Sequence, residues 1–214
     1  MLMAGAVAGS EVRLEIEQDR IIAEGLNPGA EAVVFAVMHD RRGWSKVIRR
    51  VDQILADEDH DGRVELVWDG GVPLRSLCVV IDTQTGEMAM ATPPGFNLRR
   101  FELDDLVWDG PSAVGAVHRK CRYLETLLVQ PGAGGGGGVW GLTAGDGPPH
   151  DGDGVANGEI RIDFSSMHPL HGSAEAPQAG NGGVVVIIDA LTLEIVADTV
   201  GQNALGNASE EVLR

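Results

Sequence analysis

Alternation of apolar and polar positions opens the chain. In residues 11–17, Val12, Leu14 and Ile16 alternate with charged residues, the period-two pattern of a strand with one face buried. Residues 20–26 predict a second strand, and Asn27-Pro28-Gly29-Ala30 predicts a turn, with Pro presetting φ and Gly supplying a position of positive φ. Residues 31–38 are apolar without alternation, as in a strand buried on both faces. A basic loop at 39–43 leads to a long mixed strand from Ser45 to about Leu55. After an acidic loop, 63–68, 77–82 and 87–92 complete seven short strands.

Residues 93–120 depart from this pattern, opening on Pro93-Pro94-Gly95, and 101–106 reads as one or two helical turns within a structured connector. Strand signals resume at 122–130, 139–143, 159–164, 184–189 and 194–200. The expected fold is all-β: a β-sandwich, immunoglobulin-like or similar, in two tandem units. These are residues 11–92 and 121–200, with a short connector at 93–120 and a tail at 201–214. The first unit resembles immunoglobulin-like and fibronectin-like sandwiches in strand count alone, and that resemblance carries no function. Hints of duplication accompany it. Residues 79–87 and 186–194 agree at five of nine positions, Pro28-Gly29-Ala30 recurs as Pro131-Gly132-Ala133, and an acidic Asp-Gly loop follows in each half. Ile-Asp-x-x-Thr is also ordinary hairpin chemistry, with Asp capping the turn and Thr re-entering a strand.

Charge removes some function classes. Sixteen Lys and Arg face 32 Asp and Glu, a formal charge of −16, and no basic cluster exceeds a pair. Counterion release from phosphate needs a basic stripe, so nucleic acid and anionic membranes are poor partners. No apolar run approaches the roughly eighteen residues of a membrane span. Two cysteines, Cys78 and Cys121, do not make a disulfide scaffold. Residues 1–10 are small and apolar without a basic start, at most the stump of a signal peptide.

The acidic loops carry the sharpest chemistry. Asp57-Glu58-Asp59-His60-Asp61-Gly62-Arg63 fits the first half of D-x-D-x-D-G, in which alternate carboxylates wrap a hard cation, a backbone carbonyl follows and Gly makes the sharp turn. Asp57, Asp59 and Asp61 would bind through side chains and Arg63 through its carbonyl. The twelfth position holds Trp68 in place of a bidentate Glu, so Glu65 or Asp69 would have to complete the set. This resembles an EF-hand-like calcium loop set between strands. A second stretch offers Asp146, Asp151, Asp153, Asn157 and Glu159, in a looser register. The plain alternative is solvated acidic turns, but three carboxylates in one turn repel each other unless a cation joins them. The expected cofactor is Ca2+, in a structural role.

Other constellations are weaker. His118, Cys121, His168 and His171 form two pairs separated by a span unlike a zinc finger's. The glycine run from Gly134 to Gly138 lacks the Lys-Ser/Thr of a phosphate loop and reads as a surface loop able to receive a partner. No G-x-S-x-G elbow accompanies the serines. The expected function is a non-enzymatic structural or interaction module that meets a protein partner or a second copy, with edge strands open to strand addition. Two alternatives remain. One is a carbohydrate-binding module using Trp44, Trp108 or Trp140; the other is a metal-dependent hydrolase using residues 146–159 with His150. Calcium-rich loops suit an extracellular or cell-surface setting.

Overall fold

The computed structural model describes residues 11–42, 45–97, 99–100, 103–109, 112–117, 123–130, 138–144, 159–163, 166–172 and 184–198. The fold is all-β, with four sheets and no α-helix among these residues. Strands β1 (Arg13–Ile16), β2 (Arg20–Glu24) and β5 (Arg63–Val67) form the first sheet, in the order β1-β2-β5. Strands β3 (Glu31–Arg42), β4 (Ser45–Ala56), β6 (Ser76–Asp82) and β7 (Met88–Ala91) form the second, ordered β4-β3-β6-β7. The third contains β8 (Arg99–Arg100), β11 (Leu124–Gln130), β12 (Gly138–Ala144), β14 (His168–Gly172), β15 (Val184–Asp189) and β16 (Glu194–Asp198). Its order is β14-β12-β11-β15-β16-β8. Strands β9 (Leu103–Asp109), β10 (Ser112–Val117) and β13 (Glu159–Asp163) make the fourth, ordered β13-β10-β9. All neighbours are antiparallel except β16 and β8.

The second sheet is buried on both faces, which is why β3 and β6 are apolar without alternation. Val33, Phe35, Val37, Leu77, Val79 and Ile81 pack against Leu127, Val129, Val139, Val186 and Ile188 of the third sheet. The intervening residues Ala32, Val34, Ala36, Met38, Cys78 and Val80 pack against Ile16, Ile21, Ala23, Val64 and Leu66 of the first. Period two separates the sets, since successive side chains leave a strand on opposite faces. One hydrophobic cluster therefore spans both halves of the chain, and the second and third sheets share one apolar layer. His39, at the far end of β3, adds a polar tie by donating from Nε2 to the Ala190 carbonyl at 2.6 Å.

The segment 93–120 contains β8, β9 and β10; β9 and β10 pair with each other, and β10 pairs on its other side with β13. The helical turn expected at 101–106 gives way to a strand from Leu103, because Val107 and Trp108 find ladder partners in Val114 and Ala113. The basic loop expected at 39–43 is strand as far as Arg42, paired residue for residue with β4. Proposed copies of Pro28-Gly29-Ala30 do not coincide: the first precedes β3, whereas residues 131–133 follow β11 and lie outside the described residues. The hairpin turns do match. Asp82 Oδ1 accepts from the Gln84 and Thr85 amides at 2.8 and 3.0 Å, and Asp189 Oδ1 accepts from Leu191 and Thr192 at 2.9 and 3.3 Å. Thr83 N donates to Glu31 O as Ala190 N donates to Tyr123 O, and Gly86 and Leu193 close the two turns at φ 74° and 60°.

One ion pair bridges the second and third sheets. Arg50 Nη1 on β4 lies 3.1 Å from Glu125 Oε2 on β11, and Arg50 Nε lies 3.3 Å from Asp52. Thr143 Oγ1 donates to the same carboxylate at 3.2 Å. Gly141 leaves room for the guanidinium, since a Cβ there would stand 3.3 Å from Arg50 Nη1. Burial raises the Glu125 pKa, with Arg50 and the hydrogen bonds of Thr143 and Tyr123 opposing it. Arg50→Ala should therefore cost about 2–4 kcal/mol at neutral pH in urea unfolding, by leaving a buried charge unpaired. A carboxyl whose folded pKa is raised destabilises the fold only when ionised, so the loss should shrink as pH falls through that folded pKa.

Candidate metal loop

The loop between β4 and β5 is held by its first carboxylate. Asp57 is 3% exposed. Its Oδ2 accepts the Gly29 and Gly62 amides at 2.8 and 3.0 Å, and its Oδ1 accepts the Asp61 amide at 3.2 Å. Its own amide donates to Ala30 O at 3.1 Å. Hydrogen bonds from the Gly29 amide above all, then from the Gly62 and Asp61 amides, hold the Asp57 pKa below the usual carboxylate value against the opposing effect of burial. Asp61 Oδ1 accepts the Arg63 amide at 2.8 Å, a local turn that feeds the chain into β5. His60 and Gly62 have φ of 62° and 77°.

This loop and the β6–β7 turn clamp the turn expected at Asn27-Pro28-Gly29-Ala30. Asp57 takes the Gly29 amide, Asp82 Oδ2 takes the Asn27 amide at 2.7 Å, and Leu26 N donates to Gly62 O at 3.0 Å. Gly is required at 29, where φ is 78° and a Cβ would lie 2.8 Å from the His60 ring. At Gly62 a Cβ would lie 2.8 Å from the Leu26 carbonyl oxygen. Asp82 was legible in sequence as a hairpin cap; its grip on Asn27 was not, because that contact joins segments 55 residues apart.

Asp57, Asp59 and Asp61 come together, each offering an oxygen within 4.8 Å of the others. That spacing suits a cation with oxygen ligands at about 2.3–2.6 Å. Among the described residues, Glu65 and Asp69 stand apart from this group. Glu65 lies within β5 and is bridged by Arg63 Nη2 at 2.8 Å and Arg20 Nη1 at 3.4 Å. The Arg63 side chain turns to Glu65 and Glu24, while its backbone opens β5 opposite Glu24. Asp69 is exposed beyond the other end of β5, ~20 Å along the strand at ~3.3 Å per residue. Glu159 opens β13 opposite Ala116. Asp146, Asp151, Asp153, Asn157 and His150 lie outside the described residues, as do His118 and Cys121.

Trp140 is 2% exposed and offers no sugar platform; Trp68 is half-buried beneath Arg49, whose guanidinium carbon stands 5.4 Å from the ring centre. Trp44 lies outside the described residues, and the side chain of Trp108 is not among those described. A cavity of about 330 Å3 between the second and third sheets brings Glu31 and Asp52 to an apolar wall of Val33, Ile54, Val139 and Leu170. Among the described residues no helix is long and apolar enough to cross a membrane. Compared with protein-family models and with curated proteins, the chain matches none.

Because the Asp57 pKa is depressed, its contribution to stability is complete above the unfolded carboxyl pKa and is lost as pH falls through the folded one. Melting temperature should fall with acid in this range, and Asp57→Asn should lower it at neutral pH while flattening that fall. Thermal melts from about pH 2 to 7 check both.

Proposed function

We propose that this protein is a non-enzymatic structural and interaction module whose Asp57-Asp59-Asp61 loop is stabilised by calcium. The observation that carries the reading is the convergence of three carboxylate oxygens within 4.8 Å. The depressed pKa of Asp57 supports it, since a carboxylate ligand binds in its ionised form. Three side-chain ligands fall short of the six to eight oxygens calcium takes, leaving water and backbone to complete the shell. Such a site belongs with the weak extracellular class, with dissociation constants of about 0.1–1 mM. The role is rigidity, because the same loop braces the Asn27–Ala30 turn and the start of β5.

We further read the scaffold as two tandem β-sandwich units. In the first, β1-β2-β5 faces β4-β3-β6-β7; in the second, β9-β10-β13 stands to β12-β11-β15-β16 in the same order, with β14 and β8 added at the edges. Matching contacts support this: β1 lies against β7 and β5 against β4, as β9 lies against β16 and β13 against β12. Three strands against four is the count of seven-stranded immunoglobulin-like sandwiches, with the fourth strand moved to the opposite sheet. On this reading the second unit begins at β9.

A thermal melt in about 5 mM Ca2+ against excess chelator tests the calcium site. Ten-fold saturation of a single site adds about 1.4 kcal/mol, or roughly 3–6 °C for a chain of this size. Asp59→Ala should abolish the shift while leaving the backbone bonds to Asp57 intact. A wild-type melt indifferent to calcium would remove the ion from the function.

A further inference from the structure

We propose that β4 is a self-pairing edge, through which two copies of this chain join antiparallel about a two-fold axis at Val51. This deepens the interaction-module reading by naming the partner, and it does not depend on calcium. Among the described residues β4 is the outer strand of the second sheet and pairs only with β3. Among the described residues no strand pairs with its other side, and an edge of that kind is the usual template for strand addition. The third sheet gives a precedent: β12, which holds there the place β4 holds in the second sheet, takes β14 as an outer neighbour.

The sequence of β4 identifies the occupant, because it complements itself when reversed. With Val51 opposite Val51 of the second copy, Arg50 faces Asp52, Arg49 faces Gln53 and Ile48 faces Ile54. Each pair lies on one face of the extended sheet. Ile48 and Ile54 both belong to the face packed on the third sheet, and Val51 and Leu55 to the face packed on the first. Three neighbouring symmetric registers fail. An axis at Arg49, Arg50 or Asp52 sets like charges directly opposite each other, which destabilises a cross-strand pair. Registers shifted by one residue would pair an inner face with an outer one. The −16 charge of each copy opposes approach at long range, but at about 0.15 M salt it is screened beyond about 8 Å, whereas these pairs meet in contact.

Sedimentation velocity at about 10–200 µM in about 0.15 M salt should give twice the 22.5 kDa mass. Gln53→Lys, at an exposed position, sets Lys against Arg49 twice and should weaken the dimer about tenfold with little change in melting temperature. Adding Arg49→Glu should restore it. Val51→Cys in a Cys121→Ser background should form an intermolecular disulfide under mild oxidation. Cys78 does not compete, since it is buried and its thiol pKa is pushed up to about 12. A monomer throughout this range overturns the proposal, as does a dimer that ignores Gln53→Lys and yields no Val51→Cys cross-link. A monomer that also fails to bind a free peptide of residues 46–56 shows that the edge does not pair with its own sequence and overturns self-pairing. If that monomer still gains stability from calcium, the scaffold reading survives and only the pairing falls.

Discussion

The second sheet has to be apolar on both faces, and the rest of the fold follows from that demand. Its central strands β3 and β6 are covered by the first sheet on one side and the third on the other. A strand in that position has no solvent face on which to place charge, so residues 32–38 of β3 and 77–81 of β6 are apolar without a break. The price falls on its ends and edges, where the chain must satisfy backbone and place polar groups. His39 at one end of β3 and the Arg50–Glu125 pair on β4 tie the layers by polar contacts that hydrophobic packing cannot supply.

Buried carboxylates do the same work at the other end of β3. Asp57 and Asp82 reach from two different connections to the amides of Gly29 and Asn27, fixing the turn that delivers the chain into the buried strand. A carboxylate receiving two or three amides is stable as an anion even with little exposure. Asp57 therefore has a structural reason to be ionised whether or not a cation is near, and the same ionisation makes it an effective ligand. Asp59 and Asp61 are exposed and add charge without serving the turn's core, apart from the Asp61 bond to Arg63. The loop is thus a staple first, and the proposed cation would draw on the two outer residues.

Much of this was legible in local pattern. Period-two alternation located β1, the unbroken apolar run located β3, and the Asp-x-x-Thr turns located the hairpins at Asp82 and Asp189. Strands β9 and β10 escaped because their identity lies in the ladders they form, β9 with β10 and β10 with β13 some fifty residues away, and not in their own alternation. The ligand set was only partly legible for a related reason. Counting along a calcium loop assumes that the chain curls round the ion, but β5 runs straight from Arg63, carrying Glu65 to its arginines and Asp69 to the far end.

By itself the sequence determined most of the strands of the first two sheets, the buried run of β3, the two Asp-capped hairpin turns and that three aspartates share one turn, since each rests on neighbours within a few residues. Tertiary structure alone decided that the second sheet faces the third across the midpoint of the chain, that Glu125 enters the interior with Arg50, and that Glu65 leaves the acidic group. Those outcomes depend on which faces meet, and the pattern along a strand says that a face is apolar without saying what covers it.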